Sequence, residues 1–218
     1  MASDEPTFEE IQDTLKRSSS ALKAAGVEFV LAGGVACWAR GGPSTTHDID
    51  YMVRPRDVEA ALDALAGAGM RAEHPPEEWL VKAWDGNVLI DLIYEPIGLV
   101  VDDHLFERSG TLDVIGISIH VMQIEDVLTA KLLAMHEHYL DLEPLIDIAR
   151  SVREQIDWPQ LRARTEESPY ARAFFTIADG LGLSGETPES ERHPGGLAPE
   201  GRRAVDSTGA TAPSERSS

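Results

Sequence analysis

Two aspartates stand two positions apart in the segment Asp48-Ile49-Asp50, and a third, Asp91, interrupts the apolar run VLIDLIY. Alternate residues of a strand project from the same face, so the carboxylates of Asp48 and Asp50 are expected side by side. Neighbouring carboxylates repel one another, and a divalent cation that prefers oxygen ligands, such as Mg²⁺, removes that cost. The spacing therefore predicts a metal site on a strand.

Asp91 extends this prediction because a lone carboxylate in an apolar strand is costly to bury unless it is paired or metal-bound. If its strand lies beside that of Asp48 and Asp50, the three acids can hold two ions about 4 Å apart, an arrangement for in-line attack on a phosphate. The alternative is that Asp48 and Asp50 are surface acids at a sheet edge and that Asp91 pairs with an arginine. The two glycines that precede the acids favour the metal interpretation.

Gly33 and Gly34 follow a short apolar run that predicts a buried strand. Glycine permits a positive φ and the close approach of another molecule to the backbone. Residues 35–40 predict a short helix whose free N–H groups favour an anion. Arg40 and Thr46 lie between the glycines and the acids, where side chains can donate hydrogen bonds to phosphate oxygens. A polar surface loop explains each of these two residues equally well.

Lys131 falls on the apolar stripe of a helix that is predicted to begin near Ile124. Lysine is rarely buried without a partner, and a nucleotide phosphate would serve as one. The alternative is a lysine that extends from the edge of the stripe into solvent. Asp147 lies opposite the apolar stripe of the next helix, which indicates only that it avoids that core.

The hydrophobic periodicity predicts an α+β fold, in which a mixed β-sheet is flanked by helices. The sheet and its helices are expected within residues 1–121, and a C-terminal helical unit is expected at 122–184, with a ligand cleft between the two. Residues 185–218 are rich in Ser, Gly, Pro, Glu and Arg and predict a disordered tail.

The formal net charge of −19 weighs against a broad, nonspecific grip on nucleic acid, which needs a basic surface. It leaves open a nucleic acid held by a few local arginines, a small cationic acceptor or a basic protein partner. Cys37 is the only cysteine, so an intramolecular disulfide is impossible. The acidic N-terminus lacks a signal-peptide pattern and no apolar run could span a bilayer, so we expect a cytoplasmic protein without membrane contacts.

The order of the diglycine, the Asp48-Ile49-Asp50 strand and Asp91 resembles the minimal nucleotidyltransferase fold of the DNA polymerase β superfamily. The stretch GGVACWARGGPSTTHDIDYMV is also similar to the AbiEii-type toxins of type IV toxin–antitoxin systems, which include tRNA nucleotidyltransferases. In that family a Ser or Thr stands two residues before the first Asp, which matches Thr46. A lysine on a later helix and an Asp beyond it match Lys131 and Asp147.

The resemblance implies that Asp48 and Asp50 bind two Mg²⁺ ions and that Asp91 completes the site as a ligand or a base. The expected reaction moves a nucleoside monophosphate from an NTP to a hydroxyl acceptor and releases pyrophosphate. The residues expected to contact the nucleotide are Gly33, Gly34, Arg40, Thr46, Lys131 and Asp147.

The acceptor is left open by the sequence. The resemblance favours a tRNA 3′ end and a toxin with an antitoxin protein as partner, whereas the acidity favours a small molecule of the aminoglycoside type or a protein side chain. A non-catalytic module that binds a nucleotide or a partner protein is the remaining alternative. The complete set of acids speaks against it, because a site that has lost its activity has no reason to keep Asp91 in an apolar strand.

Overall fold

The computed structural model of the 218-residue chain describes residues 5–44 and 48–185. The predicted contact of Thr46 and the predicted disordered tail from residue 186 onward lie outside the described residues. Within them, the short apolar and alternating runs of the sequence form strands, and the 3.6-residue periodic segments form helices.

In the part of the chain that the structure describes, seven strands form one mixed sheet in the order β3-β4-β5-β2-β1-β7-β6. β2 pairs in parallel with β5, and β1 pairs in parallel with β7. The remaining neighbours are antiparallel. The strands are β1 Phe29–Ala32, β2 Asp48–Val53, β3 Arg71–Glu73, β4 Leu80–Asp85, β5 Val88–Ile93, β6 Gly110–Val114 and β7 Ile117–Val121.

Helices flank the sheet, and four of them follow β7, so the predicted α+β fold is confirmed. No helix in residues 5–44 and 48–185 has the length and apolar character that crossing a membrane requires. Short 3₁₀ turns stand at Pro55–Asp57 and Arg153–Gln155. The helices are α1 Phe8–Ala24, α2 Gly33–Ala39, α3 Val58–Gly67, α4 Asp103–Arg108, α5 Ile124–Ala134, α6 Glu143–Val152, α7 Trp158–Arg164 and α8 Pro169–Gly180.

Helix α1 begins at a capping box, which the sequence pattern Thr-x-x-Glu at residues 7–10 predicts. The Thr7 side chain accepts from the Glu10 backbone N–H, and the Glu10 carboxylate accepts from the Thr7 N–H at 2.7 Å. These reciprocal bonds satisfy two amide donors that a helix start otherwise leaves unpaired. The helix then buries an apolar face that includes Ile11, Leu15 and Leu22.

The face of the sheet against which α1 packs is opposite to the face that carries the acids. Tyr51 follows Asp50 in β2, so the two side chains leave opposite faces. Tyr51 is fully buried, and its hydroxyl is hydrogen-bonded to Ser18 at 2.8 Å and to Ser19 at 3.0 Å, both on α1. The back of the sheet is thereby closed, and the front remains available for a site.

Three local features differ from the sequence prediction or complete it. Gly33 and Gly34 are the first two residues of α2 rather than a separate turn before it. Residues 110–121, for which the sequence pattern permits either one bent strand or a pair of strands around Gly116, form the hairpin β6–β7. Helices α4 and α7 were not predicted, because six or seven residues are too few for a helical period to be recognised.

A buried carboxylate fixes the start of α5. Asp126 lies in the first turn of α5, and its side chain is only 2% exposed. It accepts from Arg108 at 2.8 Å and from Arg164 at 2.6 Å, so it joins α5 to the end of α4 and to α7. Whether the helices after residue 121 form a domain of their own remains a prediction.

We expect Asp126→Ala to lower the free energy of unfolding by about 3 kcal/mol, because it leaves two guanidinium groups without their carboxylate. This loss is at the low end of the range for breaking a buried ion pair, because the side chains of both arginines are partly exposed to solvent. Urea unfolding measures the change. Glu154→Ala, which removes an exposed partner of Arg153, is the matched control and should cost less than about 1 kcal/mol. Equal losses in the two variants would contradict a structural role for Asp126.

Candidate active site

The parallel pairing of β2 with β5 brings the three predicted acids together. Asp50 lies opposite Asp91 in the register of the two strands, and Asp48 is two residues earlier on the same face as Asp50. One carboxylate oxygen from each residue lies within 4.8 Å of the other two. Three oxygen donors this close form an acid cluster that fits a hard divalent cation such as Mg²⁺.

Gly33 leaves the space that the Asp50 carboxylate occupies. Ala32 pairs with Asp50 across β1 and β2, so the next residue of the chain faces that carboxylate. Gly33 has a φ of +59°, and a Cβ atom added there would overlap Asp50 Oδ2. The sequence suggested that the diglycine admits a bound molecule, and the structure shows that its first glycine also admits an acid of the site itself.

Lys82 is the neighbour of the acid cluster that the sequence analysis missed. It lies opposite Asp91 in the β4–β5 pair, with 2.9 Å between Lys82 Nζ and Asp91 Oδ1. The side chains of Lys82 and Asp91 are 21% and 11% exposed. An arginine was considered as the partner of Asp91, but only as an alternative to the acid cluster. The structure has a lysine partner and the cluster together.

The sequence contained a signal for this pair. Gly86 and Asn87 form a two-residue connection between β4 and β5, which sets Asp85 opposite Val88. Counting back along both strands from that turn places Lys82 opposite Asp91. The tight-turn pattern Asp85-Gly86-Asn87 is thus the sequence feature from which the partner of Asp91 follows.

The acids perturb one another electrostatically. Burial, together with the charges of Asp48 and Asp91, raises the pKa of Asp50 to about 7, although Lys131 and Lys82 oppose the shift. Burial also raises the pKa of Asp91, against the hydrogen bond from Lys82. Asp50 is half-buried and lines the smaller of the two cavities described below. A bound cation would favour the ionised form of both groups.

Lys131 lines two cavities, each of which is also lined by one acid of the cluster. It is half-buried on α5, and within residues 5–44 and 48–185 its ammonium group forms no ion pair. A larger cavity of about 640 Å³ is lined by Lys131 together with Gly34 and Asp48. A smaller cavity of about 190 Å³ is lined by Lys131 together with Gly33 and Asp50. The Lys131 side chain is therefore shared by two cavities, one with Asp50 and the other with Asp48 in its lining.

Two other residues predicted to bind a nucleotide have different surroundings. The Arg40 guanidinium donates to the carbonyl oxygens of Val121 at 2.8 Å and Met122 at 2.6 Å, at the end of β7. Asp147 is exposed and pairs with Arg150 at 3.2 Å, but it also lines the larger cavity. The structure therefore places Asp147 within reach of a ligand in that cavity, whereas two of the guanidinium nitrogens of Arg40 are occupied by backbone.

The match to a family model covers most of the described chain. A model described as "Uncharacterised nucleotidyltransferase" matches residues 9–179. The matched range includes the acid cluster, the diglycine and Lys131. No curated protein matches the chain.

Several solved structures are similar to this chain at low identity. The antibiotic-resistance factor ANT(2'')-Ia is 15% identical with a TM-score of 0.49, and the match covers 82% of this chain and 91% of that one. The lincosamide antibiotic adenylyltransferase LnuA is 15% identical with a TM-score of 0.45, covering 66% of this chain and 95% of that one. A tRNA-processing enzyme is 17% identical with a TM-score of 0.38, covering 82% of this chain and 50% of that one.

We expect Gly33→Ala to weaken both folding and divalent-cation binding, because the added methyl group displaces the Asp50 carboxylate. Calorimetric titration with Mg²⁺ and urea unfolding measure the two effects. Gly26→Ala is the matched control, since Gly26 has a φ of +71° and open space around its Cα. That control carries only the cost of a left-handed alanine, about 1–2 kcal/mol. If Gly33→Ala and Gly26→Ala lose the same stability and bind Mg²⁺ equally well, a glycine is required at position 33 only for its backbone conformation.

The raised pKa of Asp50 predicts a pH dependence of stability in metal-free protein. The folded-state value of about 7 lies above the unfolded value of about 3.9, so the folded state binds more protons between these two values. The free energy of unfolding should therefore fall as the pH rises from about 4 to about 7. Chelator-treated Asp50→Asn should show a shallower fall, with Asp13→Asn on the exposed side of α1 as the control. The same slope in wild type and Asp50→Asn would contradict the assignment.

Proposed function

The chain belongs to the family of uncharacterised nucleotidyltransferases, and from this premise we propose that its acid cluster transfers a nucleoside monophosphate from an NTP to a hydroxyl acceptor. The observation that supports this reaction is the approach of Asp48, Asp50 and Asp91 within 4.8 Å beside two cavities. Such a cluster suits phosphoryl-group chemistry, in which the protein contributes positioning and charge neutralisation.

In the proposed reaction the acceptor oxygen attacks the α-phosphorus of the NTP. The bond from that phosphorus to the oxygen that bridges to the β-phosphate breaks, and pyrophosphate leaves. The hydroxyl proton passes to the Asp91 carboxylate. The hydrogen bond from Lys82 holds Asp91 Oδ1, which leaves its other oxygen for the proton or for a cation.

Mg²⁺ is the proposed cofactor, with two ions held by Asp48, Asp50 and Asp91. When bound, the cations neutralise phosphate charge and fix the reacting groups in line. The oxygen-only donor set and the mutual repulsion of the three carboxylates support this choice. Gly33 contributes by leaving room for the Asp50 carboxylate.

The larger cavity is the proposed nucleotide site. Its volume of about 640 Å³ suits a nucleotide, since small-molecule sites occupy about 300–1,000 Å³. Lys131 is available to attract the phosphates, and Gly34 lets the backbone approach them. Asp147 at the same cavity can accept hydrogen bonds from the sugar or base. Arg40 is less suited to bind the nucleotide, because its guanidinium group donates hydrogen bonds to the carbonyls of Val121 and Met122.

Transfer to a tRNA 3′ end, as by an AbiEii-type toxin with an antitoxin partner, is a narrower proposal that rests on the sequence resemblance. The net charge of −19 offers an RNA backbone little general attraction. The acidity of the chain does not disfavour a small uncharged or cationic molecule, or a protein side chain, as the acceptor. A binding module without catalysis is the remaining candidate, and the complete acid cluster speaks against it.

Incubation of the full chain with labelled NTPs, Mg²⁺, total RNA and a small-molecule extract tests the activity. We expect pyrophosphate release and label in one acceptor fraction; label in RNA would support the tRNA proposal. Asp48→Asn should lower the rate by more than about 100-fold, since even indirect partners of metal ligands cost 10–100-fold. Its metal-free stability should hold or rise, because carboxylate repulsion is relieved.

Asp63→Asn, at an exposed position of α3, is the matched control and should keep the wild-type rate. Unchanged turnover in Asp48→Asn would contradict the proposed reaction. Nucleotide binding without pyrophosphate release in the presence of every acceptor fraction would favour the non-catalytic candidate.

A further inference from the structure

We propose, on the premise of the proposed function, that the smaller cavity is the acceptor site and that the acceptor is an uncharged alcohol that carries an apolar ring. The cavity of about 190 Å³ is lined by Gly33 and Asp50, whereas the larger cavity is lined by Gly34 and Asp48. Three observations support this assignment: its position on the sheet, its chemical lining and the exposed apolar groups around it.

The cavity continues the sheet face that carries the acids. Met52 and Ile93 line it, and they stand two residues beyond Asp50 and Asp91 on β2 and β5. Alternate residues share a face, so an acceptor body over Met52 and Ile93 lies on the same surface as the acids. Asp91 does not line the cavity, but one of its carboxylate oxygens lies within 4.8 Å of an oxygen of Asp50, which does, so an acceptor hydroxyl beside Asp50 is also near Asp91, the proposed proton acceptor.

In-line displacement gives the two cavities different roles. The attacking and leaving oxygens must lie on opposite sides of the α-phosphorus. If the triphosphate occupies the larger cavity, the acceptor enters from the other side of the acids. We assign the smaller cavity to this position, because it shares Lys131 and Ala134 with the larger one but is lined by Asp50, whereas the larger one is lined by Asp48.

The lining restricts the chemistry of the acceptor. Among the described residues that line the smaller cavity, only Asp50 and Lys131 carry charge, and the reaction uses both. The other walls include Met122, Val127 and Ala130, which offer no partner for an ammonium or phosphate group. Burying such a charge without a partner is costly. A polycationic aminoglycoside and an RNA backbone are therefore both poor occupants, whereas an uncharged ring gains from burial.

The size of the cavity limits what it can enclose. A volume of about 190 Å³ is below the usual range of about 300–1,000 Å³ for drug-sized ligands, so a single ring fits. Trp79 and Ile97 also line the cavity, and they are 42% and 65% exposed. These two side chains can contact a part of the acceptor that extends beyond the cavity.

The reaction at this site balances without a further reagent. The alcohol oxygen forms a bond to the α-phosphorus as the bond to the pyrophosphate oxygen breaks. The products are the nucleotidyl ester of the alcohol and pyrophosphate, and the alcohol proton goes to Asp91. No group is oxidised or reduced.

The methionines of the chain provide native probes for both cavities. Met52 and Met122 line the smaller cavity, Met135 lines the larger one, and Met70 lines neither. In the full chain labelled with [methyl-¹³C]methionine, we expect benzyl alcohol to shift the Met52 and Met122 methyl signals and to leave Met70 unchanged. Each NTP, added with Mg²⁺, should be tested in turn, and the bound one should shift Met135.

Ala130→Leu fills the smaller cavity from α5 and should weaken the benzyl alcohol response by about tenfold or more, an effect of about 1.4 kcal/mol. The Met135 response to the NTP should persist in that variant. Ala60→Leu, at an exposed position of α3, is the matched control and should change neither response.

Opposite outcomes would overturn the proposal. It fails if benzyl alcohol shifts neither Met52 nor Met122, if the NTP shifts these two and leaves Met135 unchanged, or if an aminoglycoside or tRNA displaces benzyl alcohol. Failure of the proposed function is separable from these results. It would appear as no pyrophosphate release with any acceptor while the methionine shifts follow the expected pattern.

Discussion

Mutual repulsion among three carboxylates is the constraint on which this site depends. One carboxylate oxygen each of Asp48, Asp50 and Asp91 lies within 4.8 Å of the other two. Burial, together with the negative charges of neighbouring acids, raises the pKa of Asp50 and of Asp91. Such a cluster is unfavourable by itself and becomes favourable when a cation enters it. Lys82 offsets part of the repulsion through Asp91. The cluster therefore favours positive charge at this position, as the proposed cation site requires.

The rest of the fold holds these groups against their repulsion. Adjacent parallel strands fix Asp50 and Asp91 in register, and the missing side chain of Gly33 gives the Asp50 carboxylate its place. Helix α1 closes the back of the sheet through the buried Tyr51 hydroxyl. Asp126 fixes α5 on the front, and α5 carries Lys131, which lines both cavities. A rigid frame of this kind keeps the acids in position before any ligand binds.

The same arrangement provides separate places for the two substrates of a nucleotidyltransferase, the nucleotide and the acceptor. In the function proposed above, the acids, Lys131 and the larger cavity bind the nucleotide. The smaller apolar cavity binds the acceptor, which differs from one nucleotidyltransferase to another. The strongly acidic composition bears on the choice of acceptor, because it disfavours a polyanionic one. It does not affect a nucleotide whose negative charge is neutralised by groups at the site.

The sequence alone determined what is local: the capping box of α1, the paired faces of Asp48 and Asp50, and the anomaly of an aspartate in the apolar strand β5. It also contained the turn that sets Lys82 opposite Asp91, because hairpin register follows from turn length. Short helices such as α4 could not be predicted from the sequence, because two turns carry too little periodic signal. Only the tertiary structure placed β5 beside β2, committed Arg40 to the carbonyls of β7 and opened two cavities around Lys131. Those features depend on contacts between segments far apart in the chain, and no spacing of residues within one segment specifies which distant strand becomes its neighbour.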